Sequence, residues 1–154
     1  MSGAKALLRV AVVGASSLIG EALIAELRAQ EFPLAELHAL EDQRNVGRPL
    51  SGEAGVEDPE LKTSDVAAFD FSRADLVFFC GRAALSERYA EAAAAHAWVI
   101  DNSPAFRLRP GVPMVAADVN AAALRPVGPH GLISLPGSAS VALATALAPL
   151  HAAA

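Results

Sequence analysis

One cysteine, Cys80, occurs in the 154 residues, so an internal disulfide cannot form and a reducing compartment, the cytoplasm, is expected. Positive charge is scarce: 12 Lys and Arg stand against 17 Asp and Glu, a formal charge of −5. With no basic run and no aromatic–basic interleaving, a nucleic-acid partner is not expected. The four histidines, His38, His96, His130 and His151, have no metal-ligand spacing and no Cys/His cluster joins them, so no metal is expected. Uninterrupted apolar runs fall short of a membrane span, and the N-terminus lacks a signal-peptide apolar region and cleavage pattern. Membrane partners are therefore not expected either.

What remains is 53 % hydrophobic and 19 % charged, the balance of one soluble globular domain with a sizeable core. Its organising stretch is Val10-Ala-Val-Val-Gly14-Ala-Ser-Ser-Leu-Ile-Gly20. A β-branched apolar run stops at glycine and a helical pattern begins near Leu18, the opening of a βαβ nucleotide-binding unit. Gly14 can take the tight turn, and the N–H groups of residues 15–19 would then face a phosphate at a helix N-terminus. Ser17 stands where a second glycine would allow the closest approach to a pyrophosphate, and its hydroxyl offers a bond of its own. A plain strand–turn–helix is the competing reading.

Taken in order, the pattern predicts a strand over 7–13 and a helix over 18–30. Leu18, Ala22, Ala25 and Ala29 are among that helix's apolar positions, with Ser16 or Ser17 as its cap. Phe32-Pro33 ends the helix and a second strand spans 36–40, completing one crossover. Residues 41–70 are polar, with at most short strands. A buried strand over 75–80 closes at Gly81, and an alanine-rich helix over 83–96 has Ser86 as candidate cap. A strand over 98–100 is broken by Asp101-Asn-Ser-Pro104. An extended piece covers 112–115, a helical turn capped by Asn120 covers 120–124, a strand covers 131–134, and a last helix covers 138–152. That helix runs to Ala154 without a capping glycine or charged tail, which suggests a fragment or one domain of a longer protein. The fold class expected is α/β, a Rossmann-like, doubly wound, mostly parallel sheet with helices on both faces.

Each candidate site has a plainer counterpart. Glu41 and Asp42, about twenty residues beyond Gly20, could accept from an adenosine ribose and favour NAD. Arg44 and Asn45 just after could bind a 2′-phosphate instead, and a solvated turn needs neither. Asp101-Asn102-Ser-Pro-Ala-Phe-Arg107 leaves the carboxyl end of a strand, where Arg107 could clamp a carboxylate or phosphate in two parallel bonds, or merely hold its loop. Cys80, in Val77-Phe-Phe-Cys-Gly81, has no flanking base and reads as a core thiol. Ser138 and Ser140, in Ser134-Leu-Pro-Gly-Ser-Ala-Ser140, read as nucleophile or anion site on one side and as plain helix caps on the other.

Together these stretches resemble the N-terminal half of the aspartate-semialdehyde dehydrogenase family. Its Gly-Ala-Thr-Gly-x-Val-Gly stands here as Gly14-Ala-Ser-Ser-Leu-Ile-Gly20, and its Val-Ile-Asp-Asn-Ser-Ser-x-x-Arg as Val99-Ile-Asp-Asn-Ser-Pro-Ala-Phe-Arg107. Its Val-Pro-Glu-Val-Asn looks like Ala116-Ala-Asp-Val-Asn120, and its Ser-x-Arg-Ser falls on Asp42-Gln-Arg44-Asn45. N-acetyl-glutamyl-phosphate reductase shares the general architecture but fits the Asp-Asn-Ser stretch less well.

The resemblance implies an NADP-linked, phosphorylating oxidation of an aldehyde in aspartate-family (lysine, methionine and threonine) biosynthesis, with NAD admitted by Asp42. A cysteine thiolate adds to the aldehyde, hydride passes to the nicotinamide, and phosphate releases the acyl group. It implies a cofactor set of Gly14, Ser16, Ser17, Leu18, Ile19, Gly20, Arg44, Asn45 and Gly81, and a substrate or phosphate set of Arg107 and Asn102. The family's cysteine falls on Ser138 and the asparagine before it on Gly137. It further implies an NAD(P)-binding domain over 1–134 and, over 135–154, the start of a helix leading into an absent catalytic and dimerisation domain. A homodimer through that domain is the expected assembly, and the isolated piece would expose an apolar face. Ser138 leaves a second expectation, a catalytically silent paralogue of the usg type that keeps the fold for cofactor sensing or subunit association.

Overall fold

In the computed structural model, which describes residues 6–50, 61–124 and 130–153, the chain builds a six-stranded sheet around β1, Leu8–Val13. Val10, Ala11, Val12 and Val13 are fully buried, since a strand covered on both faces is apolar without alternation. The other strands are β2 (Leu34–Glu41), β3 (Ser64–Asp65), β4 (Leu76–Phe79), β5 (Trp98–Asp101) and β6 (Gly131–Ser134). Their order is β3-β2-β1-β4-β5-β6 and every pairing between them is parallel. The doubly wound α/β class is therefore the fold of this chain.

Two apolar layers flank the sheet. On one face Ala11, Val13, Val77, Phe79 and Val99 pack with Ala90 and Ala93 of α2, Ala83–Ala94. On the other, Val10, Val12 and Ala39 pack with Ile24 and Leu27 of α1, Leu18–Ala29, each large side chain contributing about 2 kcal/mol of burial. This second layer stops short of β5 and β6. There an apolar groove of about 440 Å³ lies over Leu76, Trp98, Ile100, Leu124 and Ile133.

Helix α1 differs from its predicted face. Its buried stripe is Gly20, Glu21, Ile24 and Leu27, whereas Leu18 is 76 % exposed and Ala22 and Ala29 face solvent. Alanine fits either side of a helix and locates no stripe. Gly20 does, because a Cβ there would lie 2.3 Å from the Gly14 carbonyl oxygen. Ser17, not Ser16, is the N-cap and accepts from the Gly20 N–H. The helix ends before Phe32-Pro33. Glu31 takes a left-handed φ of 48°, with Glu31 N–H donating to the Arg28 carbonyl and Phe32 N–H to that of Leu27. That is a Schellman close with glutamate where glycine is preferred.

Further differences are local. Strand β2 begins at Leu34, because β1 pairs with it from Leu8 onward. Ser86 caps nothing: Arg82 holds the N-cap position of α2, and Ser86, buried, donates to Asp101. The expected helical turn is a 3-10 turn over Ala121–Leu124, preceded by a short helix α3, Ala117–Asn120, that Asn120 ends; the Asn120 Oδ1 accepts from the Ala116 N–H before it and not from that turn. Residues 112–115 touch β6 through a single bridge, Met114 to Ser134. The last helix, α4, spans Ser138–Ala153, lies beside α3, and leaves Leu143, Leu147 and Leu150 exposed. No helix among the described residues is long and apolar enough to cross a membrane.

Two consequences are measurable. Glu31→Gly relieves the left-handed strain at α1's end and should raise unfolding stability by about 1 kcal/mol in a urea titration; no gain would show the strain already absorbed. Asp75 receives three bonds from Arg9, from its N–H, Nε and Nη2, and these hold its carboxyl down at about 2. An unfolded Asp titrates near about 3.9, so the stabilisation is present above that pH and is lost as pH falls toward 2. Asp75→Asn should therefore lower Tm at pH 6, and the gap from the wild type should close by pH 2.

Candidate functional site: the cleft between β1 and β4 and the Ser138 loop

The sheet's order reverses direction between β1 and β4, and their carboxyl ends come into contact there. Gly14 (φ 80°) follows β1 and Gly81 lies just past β4; a Cβ on Gly14 would sit 2.4 Å from the Gly81 Cα. Gly14 must be glycine for this approach, whereas a Cβ on Gly81 would meet Leu85 Cδ1 at 3.1 Å and Gly14 Cα at 3.2 Å; above the contact opens a cleft of about 490 Å³. In open α/β sheets ligands bind at this position.

The loop over the cleft uses most of its own donors. Ser17 Oγ accepts from Gly20 N–H at 3.0 Å and donates to the Cys80 carbonyl at 3.0 Å, stitching the loop to the end of β4. Serine at this position thus serves as cap and tether. Ser16 donates through both N–H (2.8 Å) and Oγ (2.6 Å) to Oε1 of Glu41, which is only 4 % exposed. Of the donors expected over 15–19, the Leu18 and Ile19 N–H groups have no partner among the described residues, because the first turn of a helix has no carbonyl behind it. Asn45 lines the cleft with Arg44, and its Oδ1 accepts from the Arg48 guanidinium. Asp42 accepts from the Arg44 N–H and pairs with the Arg82 guanidinium. Arg82 carried no motif signal, yet its place directly after Gly81, at a strand's carboxyl end, put it beside the cleft.

A dinucleotide fits these residues. The Gly14–Gly81 contact is a cradle any Cβ would fill, two first-turn amides stand open, and Arg44 and Arg82 line the same cleft.

A second cluster forms at the carboxyl ends of β5 and β6. Asp101, fully buried, accepts from Ser86 Oγ (2.8 Å), Ser103 N–H (3.0 Å) and Ser103 Oγ (2.9 Å), fixing the turn that follows. Arg107 donates through Nε to the Leu135 carbonyl (2.9 Å) and through Nη2 to that of Asn102 (3.0 Å). It therefore holds its loop as well as offering charge: the side of the guanidinium is occupied, and Nη1 lies nearest Gly137, where a Cβ would stand 3.5 Å away. Ser138 is the exposed first residue of α4, and the Gly137 carbonyl accepts the helix's first bond from Val141. Neither Ser138 nor Ser140 makes a side-chain capping bond among the described residues, and none of them supplies Ser138 with a bonded base.

Cys80 is 7 % exposed, and burial, with a smaller push from the Asp101 charge, raises its thiol to about 12. It is a core thiol. The native protein at pH 8 should resist iodoacetamide and take up one equivalent only on denaturation; native labelling at the rate of a free thiol would contradict this burial.

A model of the family described as semialdehyde dehydrogenase, NAD binding domain, matches residues 9–126. The chain is 34 % identical over 145 residues to an aspartate-semialdehyde dehydrogenase of Legionella pneumophila, covering 94 % of this chain and 41 % of that protein. It is 41 % identical over 147 residues to a USG-1 protein homolog of Pseudomonas aeruginosa, covering 94 % of this chain and 42 % of that one. The solved structure of a probable aspartate-semialdehyde dehydrogenase from Pseudomonas aeruginosa superposes with a TM-score of 0.83 at 39 % identity, over 96 % of this chain and 43 % of the other. The chain thus spans about two fifths of the length of the curated relatives it matches. With its β1–β4 cleft and this match, it belongs to the semialdehyde dehydrogenase family, as an NAD-binding domain.

Proposed function

We propose that this chain is the dinucleotide-binding part of an aspartate-semialdehyde dehydrogenase-type oxidoreductase of cytoplasmic aspartate-family biosynthesis, with NADP as its cofactor. The observation that carries this reading is the Gly14–Gly81 contact beneath two open helix amides. Leu18 and Ile19 N–H groups would hold the pyrophosphate, with Gly14, Gly20 and Gly81 giving room, and Arg44 would meet the adenosine end. When bound, the nicotinamide supplies or accepts hydride.

Residues 1–134 form the cofactor domain in this reading, and 135–154 open the connection to a further catalytic and dimerising domain. Two features support it: the uncovered groove over Trp98 and Ile100, and the exposed leucines of α4. Arg107 Nη1 and the Asn102 loop would then face a carboxylate or acyl-phosphate oxygen of a small substrate.

Ser138 occupies the nucleophile position and limits the chemistry. Its hydroxyl is un-ionised at neutral pH and no base among the described residues activates it, whereas a thiol is already a few per cent thiolate. A second reading is therefore a catalytically silent paralogue that keeps the fold to sense cofactor or to associate. The 41 % identity with the USG-1 protein homolog supports it.

Fluorescence titration of the folded chain should show saturable binding of NADPH; no binding of NADPH or NADH would overturn the cofactor reading. In the full-length protein, phosphate-dependent reduction of NADP with aspartate semialdehyde, abolished by Ser138→Ala, would rule out the silent paralogue. No turnover in the wild type, with turnover gained by Ser138→Cys plus Gly137→Asn, would support it.

A further inference from the structure

Arg82 and Asp42 come from loops 40 positions apart, after β4 and β2, and their side chains meet at 2.5 Å across the mouth of the cleft. The Arg82 side chain is 68 % exposed and that of Asp42 23 % exposed, so the pair is on the rim and opening it costs little. Behind the pair the cleft continues into a second groove of about 410 Å³. Arg44, Arg82 and Arg88 line it against only Asp42 and Asp65, with the Arg88 guanidinium 5.1 Å from the ring centre of Tyr89. A chain with a net charge of −5 thus gathers a cationic surplus at one groove. The N-terminus of α2 adds to it, having no side-chain cap and no acid in its first turn.

We infer that Arg82, latched to Asp42, determines the cofactor's 2′-phosphate preference, an inference that rests on the cofactor reading above. With the latch closed, Arg82 offsets Asp42's charge, and once a phosphate takes Arg82, Arg82 and Arg44 together still outweigh that one negative charge. A 2′-phosphate, doubly charged near neutral pH, takes Arg82 from the singly charged Asp42 and binds between Arg82 and Arg44. A cofactor with a free ribose diol offers Arg82 nothing better than Asp42 and leaves the latch shut. Arg82 lies outside the Asp42–Asn45 motif, so the preference is set from β4 as well as from β2.

The test is equilibrium titration of the full chain with NADPH and NADH, with adenosine 2′,5′-bisphosphate and 5′-AMP as displacing probes. Arg82→Gln and Asp42→Asn are the variants, and their melting curves verify folding. The wild type should prefer NADPH and the bisphosphate. Arg82→Gln should weaken both by about tenfold, the loss of one charge-assisted bond, while NADH stays within about twofold. Asp42→Asn should tighten NADPH, because Arg82 is released. Equal losses for both cofactors, no loss for either, or a wild type that prefers NADH would overturn the role of Arg82 and leave the cofactor cleft standing. A folded wild type that binds neither cofactor would overturn both.

Discussion

The contact between Gly14 and Gly81 is the constraint on which the rest depends. It closes two neighbouring parallel strands at their carboxyl ends so tightly that Gly14 has no room for a side chain and Gly81 has little. Because β1 feeds one half of the sheet and β4 the other, this contact also marks where the two halves diverge and a cleft must open. Ser17 reinforces it by bonding the Cys80 carbonyl at the far side. Gly20 lets α1 settle onto the same turn. The apolar layers under both helices then fix the loop's position to within a packing contact.

The price of that rigidity is a loop whose polar groups are largely satisfied from within. Glu41 takes both donors of Ser16, and Ser17 is used twice. A preorganised loop reorders little when a ligand arrives, which favours binding. It also shifts recognition outward, to the two first-turn amides and to the arginines of the rim. Opposite charges at that rim are already paired through Asp42 and Arg82. In the proposed cofactor site, ligand binding at the rim would be an exchange of partners, decided by the identity of the incoming group.

At the other end of the sheet, the same economy of polar groups holds the Asp101–Arg107 turn. Asp101 is buried with no ion pair among the described residues, and three hydrogen bonds hold its carboxyl group. Arg107 bridges the loops after β5 and β6 by two carbonyls and retains one free nitrogen near Gly137. One side chain thus holds two loops together and, in the proposed function, would also meet the substrate. Ser138 follows Gly137 as the first residue of α4, and no base among the described residues bonds its hydroxyl.

How much of this was legible follows from the range of each interaction. The strand cores, the turn at Gly14, the parallel doubly wound class and the burial of Cys80 follow from local runs of β-branched residues, from glycine and from spacing. Strand β6 was placed to the residue, as was the start of α4. The face of α1 was not, because alanines populate both sides of a helix and only contact with the Gly14 turn selects one. Ser86 and Asn120 read as caps from their residue types. The start of α2 held at Ala83, but Ser86 bonded Asp101 across the fold, while Asn120 bonded the Ala116 N–H four residues before it. By itself the sequence determined which segments become strands and helices and which turns need glycine, since these depend on neighbours along the chain. Tertiary structure alone decided that Glu41 holds Ser16, that Arg82 reaches Asp42, and that Arg107 is half occupied. Those bonds join residues 25, 40 and 28 positions apart, and only the register of parallel strands brings them within reach.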